Sequence, residues 1–141
     1  MMKWNELIEQ NAWVVDDLLT PEECTHLLHE ANALHITDQK AAGDIRHRNS
    51  TSVCIDDESL AQRIFDRIEK FLPQEVIVDG DCDHLGLKHS KEVLYGRWTP
   101  YALNSRWRVV CYPGTGHFGP HRDGCYEKDE HHRSLITING Y

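Results

Sequence analysis

The sequence predicts an α+β, mainly β, chain in which two N-terminal helices pack on an antiparallel sheet. Three observations predict it. Apolar residues recur at helical spacing in two segments before Pro73. The runs around 106–112 and 135–141 instead alternate or concentrate β-branched and aromatic residues. Between those two runs lies a turn region, 112–124, rich in glycine and proline.

Taken in order, Trp13 to Leu19 reads as a short strand entering the first helix. That helix opens at Thr20-Pro21-Glu22-Glu23. Thr20 suits the cap, Pro21 the first helical position and Glu23 the far side of a capping box. Cys24, Leu27, Leu28, Ala31 and Leu34 form its apolar stripe. Ile45 to Ile55 reads as extended, and Asp56-Asp57-Glu58-Ser59 opens the second helix with the carboxylates its dipole favours. Leu60, Ile64, Ile68, Phe71 and Leu72 form the buried face of that helix, and Pro73 ends it. Residues 79–92 lack periodicity and read as a loop; β character begins at Val93. Arg106 to Tyr112 is one strand, and Leu135 to Tyr141 is a second. No partner strand follows the last run, and an unpaired edge invites aggregation. A closed jelly roll takes about eight strands. Far fewer are expected here, so the sequence reads as a domain cut short after Tyr141.

A chain of 141 residues with 40% hydrophobic content suits a single globular domain over 1–141. The net charge of −8 argues against nucleic acid or an anionic membrane as partner. No apolar run reaches the ~18 residues a bilayer demands. The N-terminus, Met1 to Glu6, lacks a signal-peptide core. The five cysteines are odd in number and form no Cys-x-x-Cys pair. Reduced thiols in a cytoplasmic protein are the simpler reading.

The chemistry concentrates in His121-x-Asp123. In an extended backbone, residues two apart face the same way, roughly 7 Å apart at Cα. An imidazole and a carboxylate placed so can share one metal ion, and they supply two thirds of a 2-His-1-carboxylate site of the kind that binds non-heme Fe(II). By itself His-x-Asp is common in a chain with 10 histidines and 23 acidic residues. His117 shares the even spacing, but Gly116, Gly119 and Pro120 interrupt the alternation. His131 and His132 read as solvated loop residues. Cys24, His26 and His29 fall on different faces of the first helix and form no zinc site. Arg106 and Arg108 share a strand face that would attract a dicarboxylate, or are ordinary solvated arginines.

The flanking pattern narrows the reading. Leu103-Asn104-x-x-Trp107-Arg108, Tyr112-Pro113, Phe118-x-x-His121-x-Asp123 and Arg133-Ser134-Leu135-x-Thr137-x-x-x-Tyr141 together resemble the 2-oxoglutarate- and Fe(II)-dependent dioxygenases of the prolyl 4-hydroxylase-like group. Arg48-Asn49 and the Asp56 to Pro73 helix resemble the N-terminal part of such domains. The resemblance implies an incomplete double-stranded β-helix, or jelly roll. It implies His121 and Asp123 as iron ligands, with Tyr112 and Tyr141 contacting 2-oxoglutarate, and ascorbate as an admissible reductant. The reaction implied couples oxidative decarboxylation of 2-oxoglutarate to hydroxylation of a small molecule or a protein side chain. The family's distal histidine and the basic residue after it have no counterpart in this sequence. The alternative is a truncated, non-catalytic jelly-roll interaction module, which Fe(II) or Co(II) titration distinguishes.

Overall fold

A computed structural model describes residues 2–9, 12–38, 40, 44–78, 95–121 and 123–141. The fold is mixed α/β: two α-helices and short antiparallel strand pairs, with no closed barrel among the described residues. The chain divides into two compact units, one of residues 1–21 and 59–103, the other of residues 22–58 and 104–141.

In the first unit, β1 (Lys3–Ile8) pairs antiparallel with β2 (Ala12–Asp16), with a register shift between Glu6 and Ile8. Asp17 leaves the hairpin in a left-handed conformation, φ 56°, which aspartate tolerates better than most residues. Helix α2 (Glu58–Ile68) buries Leu60, Ala61, Ile64, Phe65 and Ile68, a single face at helical spacing. Phe65 and Ala61 belong to that face together with the predicted leucine and isoleucines, whereas Phe71 ends a following 3-10 turn, Leu72 lies extended just beyond it, and both are half-buried. Arg67 donates from Nη1 to the Leu18 carbonyl at 2.9 Å and so ties the helix to the segment after β2. The short pair β5 (Val76–Val78) and β6 (Gly96–Trp98) completes the unit. The loop expected over 79–92 and the start of β character at Val93 lie outside the described residues.

The second unit carries the candidate site. Helix α1 (Pro21–Ala33) begins where the Thr20-Pro21 signal places it. It ends with Leu34 N–H on the Glu30 carbonyl and His35 at φ 55°. Two strands, β4 (Thr51–Asp56) and β7 (Arg106–Cys111), pair over six positions from Thr51↔Cys111 to Asp56↔Arg106. Ala31, Ile36, Val53 and Ile55 form the buried cluster, with Leu27, Trp107, Val109 and Cys111 packed against it. The Trp107 indole donates to the Asp57 carbonyl at 3.3 Å, giving its one polar atom a partner at the edge of that core.

Two expectations are corrected. The stripe of α1 is only partly a core face: Ala31 is buried, but Leu28 and Leu34 are exposed and Glu23 is buried. Leu135 to Tyr141 forms no strand. A strand is held by its ladder, and none of the described residues offers this run one. The predicted extended segment 45–55 does form, as β3 (Arg48–Asn49) and β4.

Candidate metal centre

The turn region after β7 is built by close backbone approach. Gly114 has φ +58°, a conformation glycine adopts without strain. Gly116 N–H donates to the Pro113 carbonyl at 2.9 Å. A Cβ at Gly116 would meet the Tyr112 carbonyl carbon at 2.8 Å and the Asn49 carbonyl oxygen at 2.9 Å, so only glycine fits. The chain then runs as β8 (His117–Phe118), paired antiparallel with β3 through Arg48↔Phe118 and Asn49↔His117. Gly119 N–H adds a bond to the His47 carbonyl at 2.7 Å. The opposing strand is delivered by a turn in which the amides of His47 and Arg48 both bond the Asp44 carbonyl. The Arg46 guanidinium, 2.6 Å from Asp44, holds that carboxylate below the ordinary aspartate range.

Immediately beyond β8, His121 and Asp123 converge. His121 Nε2 lies 3.3 Å from Asp123 Oδ1. The other ring nitrogen, Nδ1, lies 2.8 Å from the Gly119 carbonyl. A carbonyl only accepts, so Nδ1 carries a proton and Nε2 is the nitrogen turned to the carboxylate. The imidazole also stacks on Phe118, centroids 3.6 Å apart at 18°. Phe118 in turn meets the edge of His47 at 5.5 Å and the Arg48 guanidinium at 4.4 Å. Arg48 is itself steadied by Ser50 Oγ at 3.0 Å.

A separation of 3.3 Å exceeds that of a good charge-assisted hydrogen bond, about 2.7–2.9 Å. With the ring neutral, two electron-rich groups lie side by side, which is favourable only with a cation shared between them. A proton on Nε2 is one such cation. A metal ion is the other, since two bonds of about 2 Å put ligands of one ion at most about 4 Å apart. The pair therefore fits two corners of a metal site, with the outer nitrogen anchored to a carbonyl as metal-binding histidines generally are. Among the described residues no group of three His, Cys, Asp or Glu side chains gathers at one point.

The remaining candidates fall elsewhere. His117 is turned away, with Nε2 at 3.1 Å from the Arg46 carbonyl and Nδ1 at 3.4 Å from the Thr115 carbonyl. His132 Nδ1 pairs with Asp129 Oδ1 at 2.7 Å, and His131 Nε2 lies 3.3 Å from Glu130. His26 bonds Asp57 at 3.1 Å and His29 bonds Glu30 at 3.2 Å. Tyr112 and Tyr141 are both exposed. Two clefts, both lined by residues of the first unit, lie remote in sequence from His121 and Asp123. Cleft shape and ligand chemistry thus disagree about where a site is. The converging donors weigh more, because both clefts are open to solvent and neither is lined by a histidine or a cysteine. The sequence reading missed the Gly119 carbonyl and His47; the glycine was the available signal, since a Cβ there would lie 2.8 Å from His47 Nδ1.

No protein-family model, curated protein or solved structure matches the chain.

Proposed function

We propose that the chain is an oxidoreductase of the 2-oxoglutarate- and Fe(II)-dependent type, with His121 and Asp123 as its metal ligands. The observation that carries this reading is the convergence of His121 Nε2 and Asp123 Oδ1 to 3.3 Å. The motif pattern around the two residues supports it independently. When bound, iron would supply the redox chemistry that couples loss of carbon dioxide from 2-oxoglutarate to hydroxylation, with ascorbate as a reductant.

The chain's own residues supply placement. Gly119 fixes the His121 tautomer through its carbonyl, and Phe118 fixes the ring plane. Asp123 adds the negative charge that a divalent ion requires. Tyr112 and Tyr141 are the phenols assigned to 2-oxoglutarate, each able to donate one hydrogen bond to a carboxylate. The substrate class is a small molecule or a protein side chain. The finer fold assignment, part of a double-stranded β-helix, belongs to the same reading; the antiparallel pairs β4–β7 and β3–β8 that flank the ligand turn support it.

The acidic charge of −8 supports a partner other than nucleic acid. No described helix is long and apolar enough to cross a membrane. Residence in the cytoplasm suits the four described cysteines, none of which is in a disulfide. The test is succinate formation from 2-oxoglutarate with Fe(II) and ascorbate. Succinate production abolished by His121→Ala is the expected result, and full production by that variant contradicts the assignment. The non-catalytic alternative predicts no succinate and no histidine-dependent metal spectrum.

A further inference from the structure

We infer that Arg48 is a carboxylate-binding residue of the candidate metal centre, reading an acid group of 2-oxoglutarate or of the substrate. The inference deepens the proposed function and rests on it for the identity of the ligand. Arg48 pairs with Phe118 across β3 and β8, and Phe118 comes three residues before His121. The guanidinium carbon lies 4.4 Å from the centre of the Phe118 ring and the His121 imidazole stacks 3.6 Å from it, so cation and imidazole are at most about 8 Å apart. A five-carbon dicarboxylate spans about 5 Å between its terminal carbons. One end on a metal at His121 and Asp123 therefore leaves the other with the length to engage Arg48.

The guanidinium is held in place but not neutralised. Its Nε donates to Ser50 Oγ at 3.0 Å, and Ser50 is buried. The Phe118 ring supports it from one side. Arg48 itself is half-buried. Its terminal nitrogens meet no carboxylate among the described residues. Other arginines of the chain have one: Arg46 pairs with Asp44 at 2.6 Å, Arg97 with Glu75 at 3.0 Å and Arg133 with Glu127 at 2.6 Å. With 23 acidic residues against 15 basic, a fixed guanidinium without an acid is the exception. Arg108 also lacks one, but it is exposed on β7 and no described side chain fixes it.

The chemistry of the fork names the ligand. With Nε committed to Ser50, the two terminal nitrogens remain as parallel donors, the geometry that a planar carboxylate accepts through both oxygens. Ser50 and Phe118 have already restricted the side chain, so less rotamer freedom is lost when an acid docks. One guanidinium balances one carboxylate. The net charge of −8 disfavours a doubly charged phosphate group in its place.

The experiment loads the full chain with Zn(II), a redox-inert stand-in for iron, and follows the Arg48 Nε–H signal by NMR as acids are added. The probes are 2-oxoglutarate, 2-oxopentanoate (the five-carbon keto acid without the far carboxylate), glutarate and N-acetylaspartate methylamide. 2-Oxoglutarate is expected to bind about 10- to 100-fold tighter than 2-oxopentanoate, as charge-assisted hydrogen bonds to the far carboxylate would give. Arg48→Gln should erase that difference and leave 2-oxopentanoate binding unchanged. Arg48→Lys keeps the charge without the fork and should retain part of the difference. The preference for 2-oxoglutarate assigns the acid to the co-substrate; a signal moved by the aspartate derivative without that preference assigns it to the substrate. A preference that survives Arg48→Gln overturns the proposal. So does an Arg48 signal unmoved by every acid at about 50 mM, well above the millimolar range of a weak specific site. A signal moved by glutarate in a chain that takes up no Zn(II) sinks the iron reading and keeps Arg48 as a carboxylate site. Zn(II) uptake with an unmoved Arg48 signal does the reverse.

Discussion

Two histidine–aspartate pairs lie within the last part of the chain, and they differ in which ring nitrogen meets the carboxylate. In the hairpin of β9 (Glu127–Asp129) and β10 (His132–Arg133), His132 Nδ1 lies 2.7 and 2.8 Å from the two oxygens of Asp129. The His131 amide adds a third bond to the same carboxylate at 2.8 Å. That aspartate is saturated, and these bonds, the His131 amide first, hold its carboxyl below the ordinary range. In the turn after β8, His121 uses Nδ1 on a backbone carbonyl and presents Nε2 to Asp123 at 3.3 Å. The first pair is closed by its own proton; the second is spaced for a cation. The same two residue types become a structural clasp or a ligand pair according to where the backbone places one carbonyl.

The largest expected break in that comparison comes from removing each carboxylate in turn. Asp123→Ala should weaken Mn(II) binding by at least about 100-fold, the upper end of what losing a mere hydrogen-bond partner of a ligand costs. Asp129→Ala should leave Mn(II) affinity within about threefold, since that carboxylate is already engaged by the His132 ring and the His131 amide. Calorimetric titration of the two variants checks both.

Next comes the turn that aims His121. In Gly116→Ala, the new methyl would press on backbone atoms of Tyr112 and Asn49, which cannot rotate away. A loss of about 1–3 kcal/mol in unfolding free energy is expected from such overpacking. Urea denaturation measures it.

A smaller effect is expected from Phe118→Leu, which removes the surface on which the imidazole stacks. Metal affinity should fall about tenfold, as for other groups that orient a ligand. Phe118→Tyr should restore it. The ring protons of His121 should also move downfield in the leucine variant when the shielding ring is gone, a readout independent of metal.

The smallest effect is the pH response of the hairpin. The folded carboxyl of Asp129 is depressed, so its stabilising contribution is present at neutral pH and above its unfolded value. It is lost only as pH falls through the folded value, below the ordinary aspartate range. The His131 amide shift should therefore titrate in strong acid.

How much of this was legible in sequence follows from which interactions are local. Leu60, Ile64 and Ile68 repeat every four residues, so α2 and its buried face could be read directly. The Thr20-Pro21 start of α1 was equally plain, being a matter of adjacent residues. Strand β1 was not foreseen, because Lys3 to Ile8 mixes polar and apolar residues and is held by its pairing with β2. Leu135 to Tyr141 shows the converse. Its composition matches that of β7, but β7 has Thr51–Asp56 to pair with and a helix to cover it, and the later run has neither. At the candidate site, His121 and Asp123 stood out by spacing, whereas the tautomer-setting carbonyl of Gly119 and the support of Phe118 by His47 and Arg48 depend on strands brought together from 70 residues away. Of that, only Gly119 itself, where a Cβ would meet His47, is visible within the motif.

The most direct test is a Co(II) titration under reducing conditions, following the visible absorption of the bound ion in the unaltered chain, in His121→Ala and in His132→Ala. Saturable binding that survives His132→Ala and disappears in His121→Ala is the predicted result. Binding that is unaffected by His121→Ala, or that is lost in His132→Ala instead, would contradict the assignment of His121 and Asp123 as the ligand pair.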